Sequence, residues 1–333
     1  MSTAINIIIG LLMFLFLITI HELGHFTGAK LSGIKVNEFS IGMGPSIYSK
    51  KGVETLYSLR ALPIGGYVMM EGEESDSDDE RSYNNSKPWK KFITILAGPG
   101  INLLFAVIVF FGINAVNGTP TTTISTVANN SPAQIAEIKQ GDKILKVNDK
   151  NIHIFLELIS ELRSSKENFN ILLERDGKEI SVNLKPSVQN GQKVIGISPL
   201  LESSILSNLK YSFYMTFYMM GEIWNGLRGL VSGALGLNQL SGPVGVIKQV
   251  GTVVNHGFKA FLMFSAMISI NLGFFNLLPI PALDGSKLLF IICEMVLGKP
   301  INRKFEERIT IVGFIFLLGL ILLVTIKDVI SLF

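Results

Sequence analysis

Cysteine is almost missing: the 333 residues hold one, Cys293. A single thiol excludes an internal disulfide framework and a cysteine-based zinc site. Set in an apolar stretch, it reads as an inert buried side chain. Charge is scarce too. Asp, Glu, Lys and Arg make up 17% of the chain, against about a quarter in soluble domains. A net charge of +3 leaves no electrostatic footprint for a nucleic-acid partner. Histidine occurs at only four positions, 21, 25, 153 and 256. No basic residue precedes the first apolar run and no A-x-A site follows it. That speaks for a retained span and against a cleaved signal peptide.

Apolar residues are what the chain has in quantity. They make up 48% of it, and the mean hydropathy is +0.44, a membrane protein's composition. Four runs are long enough to span a bilayer and predict transmembrane helices at 1–27, 92–117, 258–286 and 309–333. Between the first two lies a polar loop, 28–91, in which "VNEFSIG" (36–42) and "ETLYSLRALPIGGYVMM" (54–70) predict a β-hairpin region. Residues 118–203 alternate short β-like runs with a helical stretch at 154–165, the pattern of a small α+β domain. Within it, "SPAQIAEIKQGDKILKVNDKNI" (131–152) resembles the core signature of a PDZ domain, with Glu137 where a small residue is usual. Within 204–257, residues 205–237 are rich in Tyr, Phe and Met but carry Lys210, Glu222 and Arg228, and a fifth span is the alternative to a surface helix there. The whole stretch predicts an amphipathic segment on the membrane surface, and 287–308 predicts a loop.

Basic residues near the span ends set the orientation. Lys30, Lys35, Lys87, Lys90 and Lys91 flank the first loop, and Lys299, Arg303, Lys304 and Arg308 precede the last span. The N-terminus and the PDZ-like domain are therefore expected outside, and 28–91 and 287–308 in the cytoplasm. The fold class expected is a polytopic α-helical membrane protein of four transmembrane helices, with a cytoplasmic membrane-associated β-hairpin region and an inserted extracytoplasmic α+β PDZ domain.

The first span ends in "HELGH" (21–25). Ionisable groups are costly at membrane depth and mark function. On a helix, His21 and His25 share a face and can bind one zinc, with Glu22 beside the metal as a base. In such sites zinc acidifies a water and the glutamate takes its proton. A third protein ligand is needed. The histidine that metzincins place six residues further on is here Leu31. The acids left in apolar surroundings are Glu222, Asp284 and Glu294. Asp284 stands in "NLLPIPALDGS", broken by Pro279, Pro281 and Gly285, and irregular backbone at membrane depth lines cavities. With span one starting near residue 4, His21 lies roughly 25 Å along it, toward the cytoplasmic leaflet. Asp284 reaches the same depth if 204–257 does not cross. Gly98, Pro99, Gly100 and Asn102 fall at matching depth in the second span, where they either line a water cleft or loosen helix packing.

These motifs, HELGH, "AGPGIN", a PDZ-like domain and "NLLPIPALDG", resemble the site-2 protease family of intramembrane zinc metalloproteases, in its bacterial branch that includes the regulator of sigma-E protease. The resemblance implies Zn2+ held by His21, His25 and Asp284, Glu22 as catalytic acid/base, and Asn276 as a substrate-binding residue. It also implies that the edge around Gly65, Gly66 and Tyr67 receives an unwound substrate by β-augmentation. It implies single-span membrane protein substrates such as anti-sigma factors or remnant signal peptides. It places the chain in a bacterial cell (inner) membrane, with the active site toward the cytoplasm and a possible PDZ ligand outside. The family's usual LDGG reads LDGS here, with Ser286. Two other readings compete: a PDZ-bearing scaffold without activity, which predicts a missing ligand, and a zinc transporter, which predicts ligands along a path. The acidic run 71–80 lacks calcium-loop spacing and reads as a solvated linker. His153 and His256 stand alone.

Overall fold

The first apolar run contains no proline and folds as one unbroken helix, α1 (Thr3–Ser32), five residues beyond its expected end. The computed structural model describes residues 3–73, 75, 77–164, 169–236 and 240–330. Met1, Ser2, Glu74, Asp76, 165–168, 237–239 and 331–333, which belong to segments discussed above, lie outside the described residues. The chain divides into two compact units, 1–106 with 222–333, and 107–221.

In the first unit α1 leads into two long bent strands, β1 (Val36–Lys51) and β2 (Leu56–Met70). They pair antiparallel from Val36 with Met70 to Ile41 with Gly66. The same 38–41 stretch also takes partners at 56–59, both numbers rising together, and 48–51 turns back along 59–56. The expected hairpin is thus folded over, with 38–41 inside and 66–70 along an edge. Gly42, Gly44 and Gly65 make the bends at positive φ. Ion pairs tie the loops down. Glu54 accepts from Lys30 and from Arg81, each at 2.6 Å, and these cations pull its carboxyl down to about 2. The acidic run is strapped in part, while Asp78 and Glu80 stay exposed as expected. Glu71 accepts from Asn37 at 2.9 Å and Ser77 at 2.6 Å, Asp79 from Lys35 at 3.0 Å, and Glu73 from Lys287 at 2.7 Å. Helix α2 (Pro88–Asn117) follows.

The second unit contains β3 (Thr119–Val127), α3 (Pro132–Ile135), β4 (Lys143–Val147), β5 (Lys150–Asn151), α4 (Phe155–Ser164), β6 (Phe169–Arg175), β7 (Lys178–Leu184), β8 (Ser187–Gln189), β9 (Gln192–Val194) and β10 (Ile197–Glu202). The main sheet runs β10-β3-β4-β6-β7, with β5 on β4. Alternate residues of β6, Phe169, Ile171 and Leu173, point into a core with Ile124, Ile144, Val147, Leu158 and Leu162, as period two dictates. Asp142 takes Arg175 through two bonds of 2.7 Å. Burial pushes the Asp142 carboxyl up, but Arg175 and the Lys139 N–H outweigh it and hold it below the usual aspartate range. Helix α5 (Ile205–Val231) buries Asn208, Ser212, Met215 and Thr216 and exposes Leu206, Leu209, Phe213 and Phe217.

Back in the first unit come α6 (Pro243–Asn255), α7 (Phe258–Leu277), α8 (Asp284–Leu297) and α9 (Arg303–Ile330). The segment 204–257 is therefore largely two helices. Helix α6 lies against α1, Gly10 beside Ile247 and Gly251 beside Asn6. Asp328 of α9 caps its start, accepting from the Gly242 and Gly245 N–H groups at 2.8 Å each. The third apolar helix stops at Leu277; Pro279 and Pro281 follow, Ala282 sits at φ +73, and α8 opens on Asp284. Among the described residues four helices, α1, α2, α7 and α9, are long and apolar enough to cross a membrane, and α5 is not one of them. The chain is a multi-pass membrane protein.

Candidate metal centre

Three elements meet on the C-terminal half of α1. Helical spacing puts His21 and His25 on one face, and the Pro279–Ala282 break delivers Asp284 to it. His21 Nε2 lies 3.0 Å and His25 Nε2 3.2 Å from Asp284 Oδ2, and the two Nε2 atoms are 3.2 Å apart. This is the one cluster of three metal-ligating side chains among the described residues. Glu222 is exposed and Glu294 is engaged by Lys91 at 3.1 Å, so neither joins it.

The residues fit zinc. Zinc bonds of about 2.0–2.1 Å in a tetrahedron imply ligand-to-ligand edges of about 3.3 Å, and the three observed separations approach that value. Asp284 Oδ2 is buried without a hydrogen-bond partner, as an oxygen reserved for a cation is. Both histidines are buried, 9% and 7% exposed. His25 Nδ1 faces the Thr94 carbonyl at 3.0 Å, which fixes its N–H there and leaves Nε2 bare for the metal.

Small residues let the walls close in. A Cβ on Gly98 would stand 2.3 Å from His25 Nε2, and one on Gly24 2.3 Å from the Ala97 carbonyl. Gly28 likewise meets Ala97, so α1 and α2 pack through glycine and alanine, as membrane helices do. Gly285 is required by the Leu278 carbonyl, 2.0 Å from where its Cβ would be. Ala282 holds a left-handed conformation, φ +73, that costs a non-glycine residue about 1–3 kcal/mol; the strain sits two residues before Asp284.

Glu22 is half-buried beside the histidines. A Cβ on Gly66 would lie 3.3 Å from Glu22 Cγ, so the 66–70 edge passes the glutamate. Gly65, next to it, turns against Met43. Tyr67 faces elsewhere: its hydroxyl bonds Arg60, which also holds Glu38 at 2.8 Å. Asn276 is half-buried in the last turn of α7 and makes no side-chain hydrogen bond among the described residues. Gly98 and Asn102, expected at this depth either to line a water cleft or to loosen helix packing, abut the histidines: Gly98 lies against His25 and Asn102 against His21. Sequence reasoning missed Thr94, whose part is played by its backbone and leaves no trace in residue type.

Comparisons with known proteins agree. The sequence profile of Peptidase family M50 matches residues 9–320. A Clostridium acetobutylicum protein that carries a zinc metalloprotease name is 40% identical over 330 residues, covering 98% of this chain and 97% of its own. A Staphylococcus aureus protein with the same kind of name is 32% identical over 423 aligned positions, covering 99% of both chains. A Listeria monocytogenes PDZ domain aligns with 25% of this chain and 87% of its own, at 21% identity and a TM-score of 0.22, too slight a likeness to fix a fold. Whole-length similarity together with the converging His21, His25 and Asp284 leads to one assignment: the chain belongs to peptidase family M50, the site-2 proteases, and is a zinc-dependent intramembrane metalloprotease.

Proposed function

We propose that this protease hydrolyses peptide bonds within or next to the transmembrane segments of single-span membrane proteins, with zinc held by His21, His25 and Asp284 and with Glu22 as the base. The observation that carries this is the convergence of three ligand atoms within 3.0–3.2 Å, with Glu22 between them and the sheet edge at Gly66. Zinc, when bound, supplies Lewis acidity and acidifies a water. Glu22 takes the water's proton at its carboxylate and returns it to the leaving amine, work worth about 10²–10⁴-fold in rate. A substrate helix hides its peptide groups in its own hydrogen bonds. The 66–70 edge offers replacement partners by β-augmentation, and the absence of a side chain at Gly66 lets that backbone lie against Glu22. Asn276, unbonded in the last turn before the break, is available to hold the substrate.

In this reading the N-terminus and the PDZ-like domain at 118–203 lie outside the cytoplasm and the metal centre lies toward the cytoplasmic face of a bacterial cell membrane. The lysine and arginine distribution supports that orientation. The 118–203 domain would take an external peptide ligand. Its α+β core and the open edge of β10 support such a role. Substrates of the anti-sigma-factor or remnant-signal-peptide kind follow from the family.

The test is cleavage of a single-span reporter carrying a helix-breaking residue, with wild type and Glu22→Gln in the same membranes. Wild type should cut in the cytoplasmic half of the span, and Glu22→Gln should lose at least about 100-fold while retaining zinc. Equal cutting by both would assign the activity to another protein. Inertness of both across a reporter panel would favour the scaffold reading.

A further inference from the structure

The two histidines of the centre are supported differently. His25 Nδ1 faces a carbonyl, Thr94 O, at 3.0 Å, which can only accept. His21 Nδ1 faces the side-chain nitrogen of Asn102, Nδ2, at 3.4 Å, which can only donate. Asn102 Oδ1 is meanwhile buried without a hydrogen-bond partner, and the residue is 0% exposed. Its backbone is pinned from α7, where Ser269 Oγ donates to the Asn102 carbonyl at 2.9 Å. The side chain can therefore change what it presents without the helix moving.

A neutral imidazole carries one N–H. When Nε2 gives its lone pair to a metal, the proton is on Nδ1, and His21 Nδ1 then points a donor at a donor. The two ends of a carboxamide have the same shape, and a half-turn about Cβ–Cγ exchanges them. That turn would bring the partnerless Oδ1 to His21 Nδ1. We propose that Asn102 is the positioning residue of the metal centre: with zinc bound, its Oδ1 accepts the Nδ1–H of His21, fixing that ring as Thr94 O fixes His25. It touches neither substrate nor metal and acts through the ligand. Outer partners of this kind typically change metal affinity 10–100-fold when removed.

The inference rests on His21 being a ligand, so the experiment includes a control that separates the two claims. Full-length Asn102→Asp, Asn102→Leu, Asn102→Ala and His21→Ala are purified in detergent. Zinc affinity is measured by chelator competition, and the visible spectrum is recorded with cobalt in place of zinc. Aspartate keeps an acceptor and loses the donor. Leucine fills the space with neither, and alanine covers the case in which leucine does not fold. The proposal expects Asn102→Asp to bind zinc at least as tightly as wild type to within about threefold, and Leu and Ala to bind 10–100-fold more weakly with a broadened cobalt spectrum. It is overturned if Asp is as weak as Leu and Ala, which would make Asn102 a donor to Nδ1, or if all three bind like wild type. If His21→Ala itself keeps wild-type affinity, the ligand assignment fails and the role of Asn102 falls with it.

Discussion

Residues 107–221 bury Phe169, Ile171, Leu173, Ile124 and Ile144, as any water-soluble domain would. Residues 1–106 with 222–333 also bury apolar groups, but among their most enclosed side chains are His21, His25, Ser40, Thr94, Asn102, Ser265, Ser269 and Ser286. In the same unit α9 turns Ile311, Phe314, Ile315, Leu318 and Leu322 outward. Lipid is as apolar as leucine, so exposing leucine there costs nothing and helices associate through small residues and internal hydrogen bonds. Helix α5, with Asn208, Ser212 and Thr216 inward and Phe213 and Phe217 outward, follows the membrane pattern. The difference lies in what is enclosed: the sheet domain encloses apolar groups, while the membrane helices also enclose polar ones, either at the centre, as His21 and His25, or in a cap, as Asp328.

The sharpest way to break this comparison is to add bulk where the membrane unit has none. Gly98→Val should expel zinc, because even the first added carbon would stand 2.3 Å from His25 Nε2; zinc content after purification should drop to background and proteolysis with it. Stoichiometric zinc in this variant would mean that α2 can retreat from α1, and that the close approach is not what shapes the centre. Next comes one deletion made in both settings. Phe169→Ala should cost the second unit about 3–5 kcal/mol, read as lost amide protection along β6 and β7. Phe314→Ala, on the outward face of α9 at 59% exposure, should cost under about 1 kcal/mol, since its ring stays in an apolar solvent either way. Equal costs would remove the distinction between the two solvents.

Much of this was legible because the membrane makes polar residues conspicuous. HELGH needed only a helix, and α1 supplied it; Asp284 stood out as an acid beside prolines in an apolar run. The four spans are matched by four helices for the same reason. The rest was hidden where pairing is long-range. Nothing local in "VNEFSIG" announces that 38–41 takes partners on both sides. The capping of α6 by Asp328, 83 and 86 residues from its partners, cannot be read from either segment. The acidic run reads as solvated because its cations, Lys35 and Lys287, are distant in the chain. Asn102 was visible as a polar residue at the right depth, but its neighbour was not.

Acid provides a milder contrast. Asp142 is held below the usual aspartate range in the folded state, so its contribution is complete above about pH 3.9, the unfolded value, and fades as pH falls through the folded one. Asp142→Asn should flatten the acid-unfolding profile of the second unit below about pH 4. Glu54, held at about 2, gives stability in the first unit that is lost as pH falls from about 4.3 toward that value. Arg81, which holds Glu54, is 54% exposed, while the Asp142 side chain is 1% exposed. Added salt should therefore erase the Glu54 contribution first.

The smallest effect expected is at Ser286, two residues into α8. Its side chain is buried, 4% exposed, and its hydroxyl donates to the Leu283 carbonyl at 2.8 Å. The Ser286 N–H donates to the same carbonyl at 3.1 Å. Ser286→Gly removes the first bond and keeps the second, so the carbonyl is not orphaned and the net loss is about 0.5–1.5 kcal/mol. Asp284 should keep its place, because Gly285 and the Pro279–Ala282 break fix the start of α8 without Ser286. Zinc affinity should therefore change less than about twofold while the thermal midpoint falls by a few degrees. A large loss of zinc would mean that the hydroxyl, and not the backbone break, is what carries Asp284 to the histidines.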